Sequence, residues 1–451
     1  MREVQGKHIA VIGAARSGVA AAILLKEKGA EVFVSDFGTI KEETKAKLML
    51  ANIPFEDGGH SAKAEAAEFA VVSPGVPTTS PIIQHFLNTG KNVYSEIEVA
   101  SWFTNQPILA ITGSNGKTTV TTWLADIWKT DNSDFSLAGN IGFAFSEKVS
   151  EPKGTHILEV SSFQLDHIDA FKPSISLLLN ITPDHMDRYG YSLEAYAASK
   201  FRITENQTSE DCFIFNYDDP LIKQHVEQLQ QKENHPRLWA FSSNNEVAEG
   251  AFVRDNNIIF RFNQQEETLM PVFELGLSGQ HNLQNGLAAA LAARAGEIRN
   301  DAIRESLKTF AGVEHRLELT RVVDGVKYIN DSKATNVNSV WFALDSFNVP
   351  VTLIMGGRDK GNDYSELEGL LRDRVHTIVA IGESKDKIKE SLEDVVPNFE
   401  KADTMRDAVR VAKKVAKRGE VVLLSPACSS FDMFDDYEHR GKIFKEEVAK
   451  L

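Results

Sequence analysis

The sequence predicts an α/β protein built from three doubly wound domains, and three observations carry that expectation. At 451 residues the chain is too long for one ordinary core, and about 150 residues per domain suggests roughly three. Short apolar runs alternate with amphipathic helical stretches. The apolar runs repeatedly end in Gly- or Ser-rich segments, the edge where parallel sheets bind ligands. The expected domains are 1–96, 97–312 and 313–451, the first and last Rossmann-like and the central one a P-loop-type nucleotide-binding domain.

The totals exclude several classes. A net charge of −15 argues against a general binder of nucleic acid or of a membrane surface. It leaves room for a small anionic substrate, since glycine loops, a few cations and Mg²⁺ reverse the field locally. Cys212 and Cys428 have no metal-ligand spacing and fit a reducing compartment. With no signal-peptide pattern and no membrane-length apolar run, the expected location is the cytoplasm.

In the first domain, Ile9–Ile12 reads as a strand running into Gly13, a helix follows Gly18, and a second strand, Glu31 to Ser35, ends at Asp36. In a dinucleotide fold that acid bonds a ribose. The spacing Gly13-x-x-x-x-Gly18 lacks the middle glycine of G-x-G-x-x-G, so a nucleotide-like ligand other than NAD is the better expectation. The strand Phe69 to Val72 enters Ser73-Pro74-Gly75-Val76-Pro77, a second strand-end loop. Val93-Tyr94-Ser95 closes the domain.

The central domain opens with the strongest signal in the chain. Ile108–Thr112 is apolar, as a buried parallel strand is. It breaks at Gly113-Ser114-Asn115-Gly116-Lys117-Thr118-Thr119, then enters Val120, Trp123, Leu124, Ile127 and Trp128, spaced as one helix face. Strand, glycine loop and helix form a phosphate cradle: backbone N–H groups and the helix N-terminus face the phosphates, and the Lys and hydroxyl serve phosphate and Mg²⁺. Downstream, Ala138-Gly139-Asn140-Ile141-Gly142 reads as a turn. Thr155–Ser162 is a strand with Glu159 at its end, and Ile175–Leu179 is another, leading to Asp184-His185. An acid at a strand end near such a loop commonly reaches Mg²⁺, and His185 is a candidate second ligand. Lys200 follows a helical stretch; by itself it reads as a solvated helix lysine. Cys212–Asn216, Leu238–Phe241 and Ile258–Phe262 read as further strands. A polar helix start at Gly279–Asn285 precedes the buried Ala/Leu run 287–295.

In the third domain a turn at Asp324-Gly325 separates two strands. The ends of later strands carry Asp331-Ser332-Lys333-Ala334-Thr335, Gly356-Gly357-Arg358-Asp359-Lys360-Gly361 and Ser425–Ser430. Loops at successive strand ends make a binding rim.

The motif order resembles the Mur ligases, ATP-dependent amino-acid-adding enzymes, over essentially the whole chain. The resemblance rests on the 112–118 loop, Glu159, Asp184-His185, Lys200, His281-Asn282-x-x-Asn285, Glu314-His315-Arg316 and Asn330–Thr335. The short first domain and the ending Ser425–Phe434 are most similar to the D-glutamate-adding branch. The resemblance implies a three-domain fold, with ATP and Mg²⁺ as cofactors. It implies a reaction joining D-glutamate to UDP-N-acetylmuramoyl-L-alanine through an acyl phosphate, by a monomer with no nucleic-acid or membrane partner. Gly13, Ala15, Arg16, Ser17, Gly18, Asp36, Ser73, Asn140, Ser161 and Gln164 would face the UDP substrate. The 113–119 loop, Asn282, Asn285, Arg316 and Asp331 would face ATP; Thr118, Glu159, His185 and Lys200 would serve Mg²⁺. Lys117, His185 and Lys200 are the expected catalytic residues, Lys200 as its carbamate. Thr335, Lys360, Ser430 and Tyr437 would hold D-glutamate, and the third domain would swing in to exclude water.

Three other readings compete: a nicotinamide oxidoreductase, a folylpolyglutamate-type ligase, and a non-enzymatic nucleotide-binding regulator. The first lacks the middle glycine, and the second gives the first domain no purpose. The third leaves Glu159, His185, Lys200 and Asp331 without a shared role.

Overall fold

In the computed structural model, which describes residues 2–150, 154–277 and 279–451, the apolar runs form three sheets. The first holds β1 (His8–Ile12), β2 (Glu31–Ser35), β3 (Phe55–Glu56), β4 (Phe69–Val72) and β5 (Val93–Ser95). Their order is β3-β2-β1-β4-β5 and every pairing is parallel. The order reverses between β1 and β4, so the loops after these two strands open on one crevice.

The second sheet holds β6 (Ile108–Thr112), β7 (Phe135–Gly139), β8 (Thr155–Glu159), β9 (Ile175–Leu178), β10 (Cys212–Asn216), β11 (Arg237–Ser242), β12 (Gly250–Arg254), β13 (Asn257–Phe262) and β14 (Gln265–Pro271). Its order is β14-β13-β12-β11-β10-β9-β6-β8-β7, parallel except at β12/β13 and β13/β14. The turn read from Ala138 begins too early: Ala138 and Gly139 close strand β7. The strands β12 and β14 also went unread, because β12 is bounded by Gly250 and Arg254 with only three apolar residues between them and β14 opens on polar residues. The glycine-loop helix Lys117–Asp131 buries Val120, Trp123, Leu124, Ile127 and Trp128, as its spacing predicts. A side-chain carbon on Gly296 would stand 2.7 Å from the Trp128 ring, so glycine allows this close approach.

The third sheet holds β15 (Glu318–Val323), β16 (Val326–Asn330), β17 (Val351–Gly356), β18 (Val375–Ile381), β19 (Asn398–Lys401) and β20 (Val421–Leu424). Its order is β15-β16-β20-β17-β18-β19, parallel except for the β15/β16 hairpin. Apolar side chains fill both faces of this sheet.

By contacts the chain divides into two compact units, one of residues up to 275 with 284–309, the other 276–283 with 310–451. The expected boundary after residue 96 falls inside the first unit, and side chains explain why. The helix Glu96–Ser101 sends Val99 and Trp102 into the core under the first sheet, and Ile97 and Ala100 into the core under the second. Glu98 is fully buried, and its carboxylate accepts N–H bonds from Asp169 (2.9 Å), Ala170 (3.0 Å) and Phe171 (2.7 Å) and from the Trp102 indole (2.7 Å). A buried carboxylate is tolerated when its lone pairs are taken up this way. Among the described residues, no helix is long and apolar enough to cross a membrane.

Candidate active site

In the first unit the crevice of the first sheet is closed by small residues. Ser73 Oγ donates to the Gly13 carbonyl at 2.8 Å. A Cβ on Gly18 would lie 2.0 Å from that carbonyl oxygen and 2.5 Å from Ser73 Oγ, so only glycine fits there. Asp36 is committed to backbone: it accepts Ala14 N–H at 2.6 Å and Gly38 N–H at 2.8 Å. A pocket of about 540 Å³ opens beside it, lined among others by Gly13, Asp36, Phe37, His60 and Val76. Sequence reasoning passed over Phe37, although an aromatic directly after a strand-end acid, left 78% exposed, is a signal. Arg16 bonds the carbonyl of Gly142, and Arg188 donates to that of Val76 at 3.2 Å. These bonds draw the loops around Asn140 and His185 toward the first sheet.

The glycine loop is held from below by polar residues that follow β9. Ser114 N–H donates to the Asn180 carbonyl at 2.9 Å, Asn115 N–H to Asn180 Oδ1 at 2.8 Å, and Ser114 Oγ to the Thr182 carbonyl at 2.8 Å. Gly116 has φ +85°, and a Cβ there would stand 2.4 Å from Asn285 Oδ1. Asn285 therefore sits against the loop. Lys117 Nζ turns onto the carbonyls of Gly113 (2.7 Å) and Ser114 (2.9 Å). Lys200 Nζ donates to the same Gly113 carbonyl at 2.9 Å.

Lys200 is not the solvated helix lysine of the local reading; it is 1% exposed. Burial first, and the neighbouring Lys117 charge second, push its ammonium well below the ordinary lysine range. Asp184, Asp166 and Glu159 lie near enough to oppose that shift. Glu159 is buried at the end of β8, where Asn140 Nδ2 donates to its Oε1 at 2.9 Å. His185 adopts a left-handed backbone (φ 54°) and meets the Phe163 ring edge-on at 4.9 Å. Ser161 and Gln164 form a reciprocal capping box two residues after Glu159. The structure thus brings together the 113–119 loop, Asn140, Glu159, Asp184-His185, Lys200 and Asn285.

A group of three His, Cys, Asp or Glu ligand atoms occurs once among the described residues, at Glu314, His315 and Glu318. Lys445 bonds Glu318 and lies 2.8 Å from Glu314, so a cation already serves that cluster. Glu159, His185 and the Thr118 hydroxyl make no such cage. An oxygen-rich donor set with few protein ligands fits Mg²⁺, which completes its shell with water and phosphate oxygens.

In the second unit, Asp331 directly follows β16 and is buried. It accepts Ser425 Oγ–H at 2.7 Å and Leu317 N–H at 3.2 Å. Burial pushes its carboxyl up to about 7 against those bonds and the charge of Arg316. Burial first, and the charge of Arg316 second, push the His281 imidazole down to about 4. At the loop rim of the third sheet, Arg358 and Ser429 exchange backbone hydrogen bonds of 2.9 and 3.2 Å. That pairing sets exposed Lys360 and buried Ser430 on adjoining loops. Tyr437 starts the last helix, and its carbonyl accepts Ser332 Oγ–H at 2.8 Å. Thr335 lies in the loop after Asp331, half-buried. Arg440, unread in the sequence, is 1% exposed and donates to the carbonyls of Ser332 (2.7 Å) and Cys428 (3.0 Å). It joins the loop of Asp331 and Thr335 to the loop of Ser430.

Comparison with known proteins decides the family. Residues 8–82 match the MurD N-terminal domain, 111–293 the Mur ligase middle domain, and 315–428 the Mur ligase glutamate ligase domain. A UDP-N-acetylmuramoylalanine--D-glutamate ligase of Salinibacter ruber is 49% identical over 456 residues, covering 100% of this chain and 99% of that one. The chain belongs to the Mur ligase family. A second ligase of that name, from Chlorobaculum parvum, is 47% identical over 99% of this chain and 98% of its own. The crystal structure of UDP-N-acetylmuramate-alanine ligase from Thermotoga maritima shares the fold, with TM-score 0.61 at 18% identity over 98% of this chain and 99% of that one. Of the residues grouped above, Gly113–Gly116, Asn140 and Asp184-His185 lie in loops and Glu159 ends β8, while Lys200 and Asn285 lie on helices. Asn180, Thr182 and Arg440, which hold the loops in place, carried no motif.

Proposed function

We propose that this Mur ligase joins D-glutamate to UDP-N-acetylmuramoyl-L-alanine, using ATP and passing through an acyl phosphate. The observation that carries the reading is full-length identity of 44–49% to ligases of that name, on a chain whose 113–119 loop gathers Glu159, His185 and Lys200.

A carboxylate is a poor electrophile, and ATP converts it to an acyl phosphate with phosphate as leaving group. The transfer needs charge neutralisation and in-line placement more than covalent help. Lys117 would leave the loop carbonyls for the phosphates, with loop N–H groups beside it, and Arg316 and Asp331 would hold the nucleotide. Thr118, Glu159 and His185 are the residues that would hold Mg²⁺, which supplies charge neutralisation. Lys200 is proposed to act as its carbamate. A buried amine with depressed proton affinity is neutral often enough to capture CO₂, losing a proton and gaining a carboxylate-like group. Gly13–Gly18, Asp36 and Ser73 would receive the UDP portion, and Asn140, Ser161 and Gln164 the muramoyl portion. Lys360 would pair with one carboxylate of D-glutamate, with the Ser430 and Thr335 hydroxyls and Tyr437 around it. The chain is proposed to act as a cytoplasmic monomer.

The test is phosphate release from ATP and Mg²⁺ with UDP-N-acetylmuramoyl-L-alanine, adding one amino acid at a time. Release dependent on D-glutamate alone is expected. Release with L-lysine or diaminopimelate instead would keep the family and change the acceptor.

A further inference from the structure

Behind the amino-acid rim lies a buried polar chain with no part in the reaction as derived above. Tyr364 is 2% exposed, and its hydroxyl donates to Asp359 Oδ2 at 2.6 Å. The same hydroxyl oxygen lies 3.2 Å from Cys428 Sγ, and with its proton committed to Asp359 the thiol is the donor there. Asn362 Nδ2 closes the group, donating to the Ala427 carbonyl at 3.0 Å. Asp359 Oδ1 accepts Gly361 N–H at 2.6 Å, Asn362 N–H at 3.2 Å and Lys387 Nζ at 2.8 Å. Burial opposes the charge on Asp359, and the bonds from Lys387, Tyr364 and Gly361 overcome it, holding the carboxyl below its ordinary range. The chain therefore runs thiol to hydroxyl to carboxylate, each member polarising the next.

Its position gives it a purpose. Asp359 precedes Lys360, and Cys428 stands two residues before Ser430. The Tyr364 hydroxyl thus joins the backbone under exposed Lys360 to the backbone under buried Ser430, beside the Arg358–Ser429 backbone pair and the Asn362–Ala427 bond. An apolar ring of the same shape would fill the space equally well, so the hydroxyl is not needed for packing.

We propose that Tyr364 is a positioning residue of the amino-acid site, its hydroxyl locking the 357–363 loop to the 425–430 loop so that Lys360 and Ser430 meet one amino acid bearing two carboxylates. This rests on the reading of D-glutamate as acceptor. Lys360 is on an exposed loop, and a dicarboxylate held by one long cation is bound well only if that loop is fixed beforehand.

The experiment compares wild type, Tyr364→Phe, Lys360→Ala and the double variant in the phosphate-release assay, with each substrate varied in turn. Loss of one buried charge-assisted bond predicts that Tyr364→Phe raises KM for D-glutamate about ten-fold, with kcat and KM for ATP within about two-fold. On the Lys360→Ala background the same change should add almost nothing. An unchanged KM for D-glutamate in Tyr364→Phe, or effects that add in the double variant, would overturn the proposal while leaving the function intact. Wild-type release that does not depend on D-glutamate would overturn the function and this proposal with it. Should Tyr364→Phe not fold, Cys428→Ala reads the chain from its other end: the same selective rise supports it, and an unmoved KM overturns it.

Discussion

Lys117 and Lys200 converge on one oxygen, the carbonyl of Gly113, at 2.7 and 2.9 Å. Their positions separate their roles. Lys117 is half-buried at the N-terminus of its helix, so Lys117→Ala leaves the core untouched. Its expected result is a loss of about 100- to 1000-fold in kcat/KM, with the midpoint of thermal unfolding nearly unchanged; wild-type rates would remove it from the phosphate site. Lys200 is buried among Lys117, Asp184 and Glu159, where burial has already weakened its hold on a proton. Lys200→Ala should cripple turnover, and on the proposed carbamate role short carboxylates such as acetate or formate should restore part of it by entering the vacated space. Absence of rescue in a folded variant would leave Lys200 a structural role alone.

The helix Glu96–Ser101 carries two buried carboxylates with different fates. Glu98 has a bond for each lone pair it needs. Glu96 accepts Ser146 N–H at 2.5 Å on Oε1 while its buried Oε2 has no partner, and burial pushes its carboxyl from 4.5 up to about 7. The folded chain therefore keeps a proton that the unfolded chain has shed between these values. Stability from this group is complete below about pH 4.5 and is lost as pH rises through 7. Glu96→Gln carries no charge to bury. It should match wild type near pH 4.5 and exceed it by roughly 1–3 kcal/mol near pH 8.5 in urea unfolding; equal curves at both pH values would count against a buried charge. The same helix marks what the sequence made legible. Periodicity exposed the strands, the glycine-loop helix and the rim loops, because apolar spacing is a local property. The left-handed turn at His185, the burial of Lys200 and the bonds of Arg440, Asn180 and Thr182 depend on residues far away in the chain. Lys200 lies 87 positions from the carbonyl it bonds, and no window of sequence contains both.

At the scale of the molecule, the residues proposed for the UDP substrate belong to the first compact unit and those for D-glutamate to the second. On the proposed function the acyl phosphate and the amine are supplied by different units, and closure of the chain on its ligands is the expected outcome. The chain with UDP-N-acetylmuramoyl-L-alanine, a non-hydrolysable ATP analogue and Mg²⁺ should give a small-angle scattering profile distinct from that of the chain alone. Superimposable profiles would argue against closure. The first unit has a different character, because Glu98 fastens the end of the first sheet's segment to the backbone at 169–171. In evolutionary terms the first hundred residues are not a cassette. Recombination that replaced them with a segment lacking a carboxylate at position 98 would strand three backbone donors at 169–171, some seventy residues away.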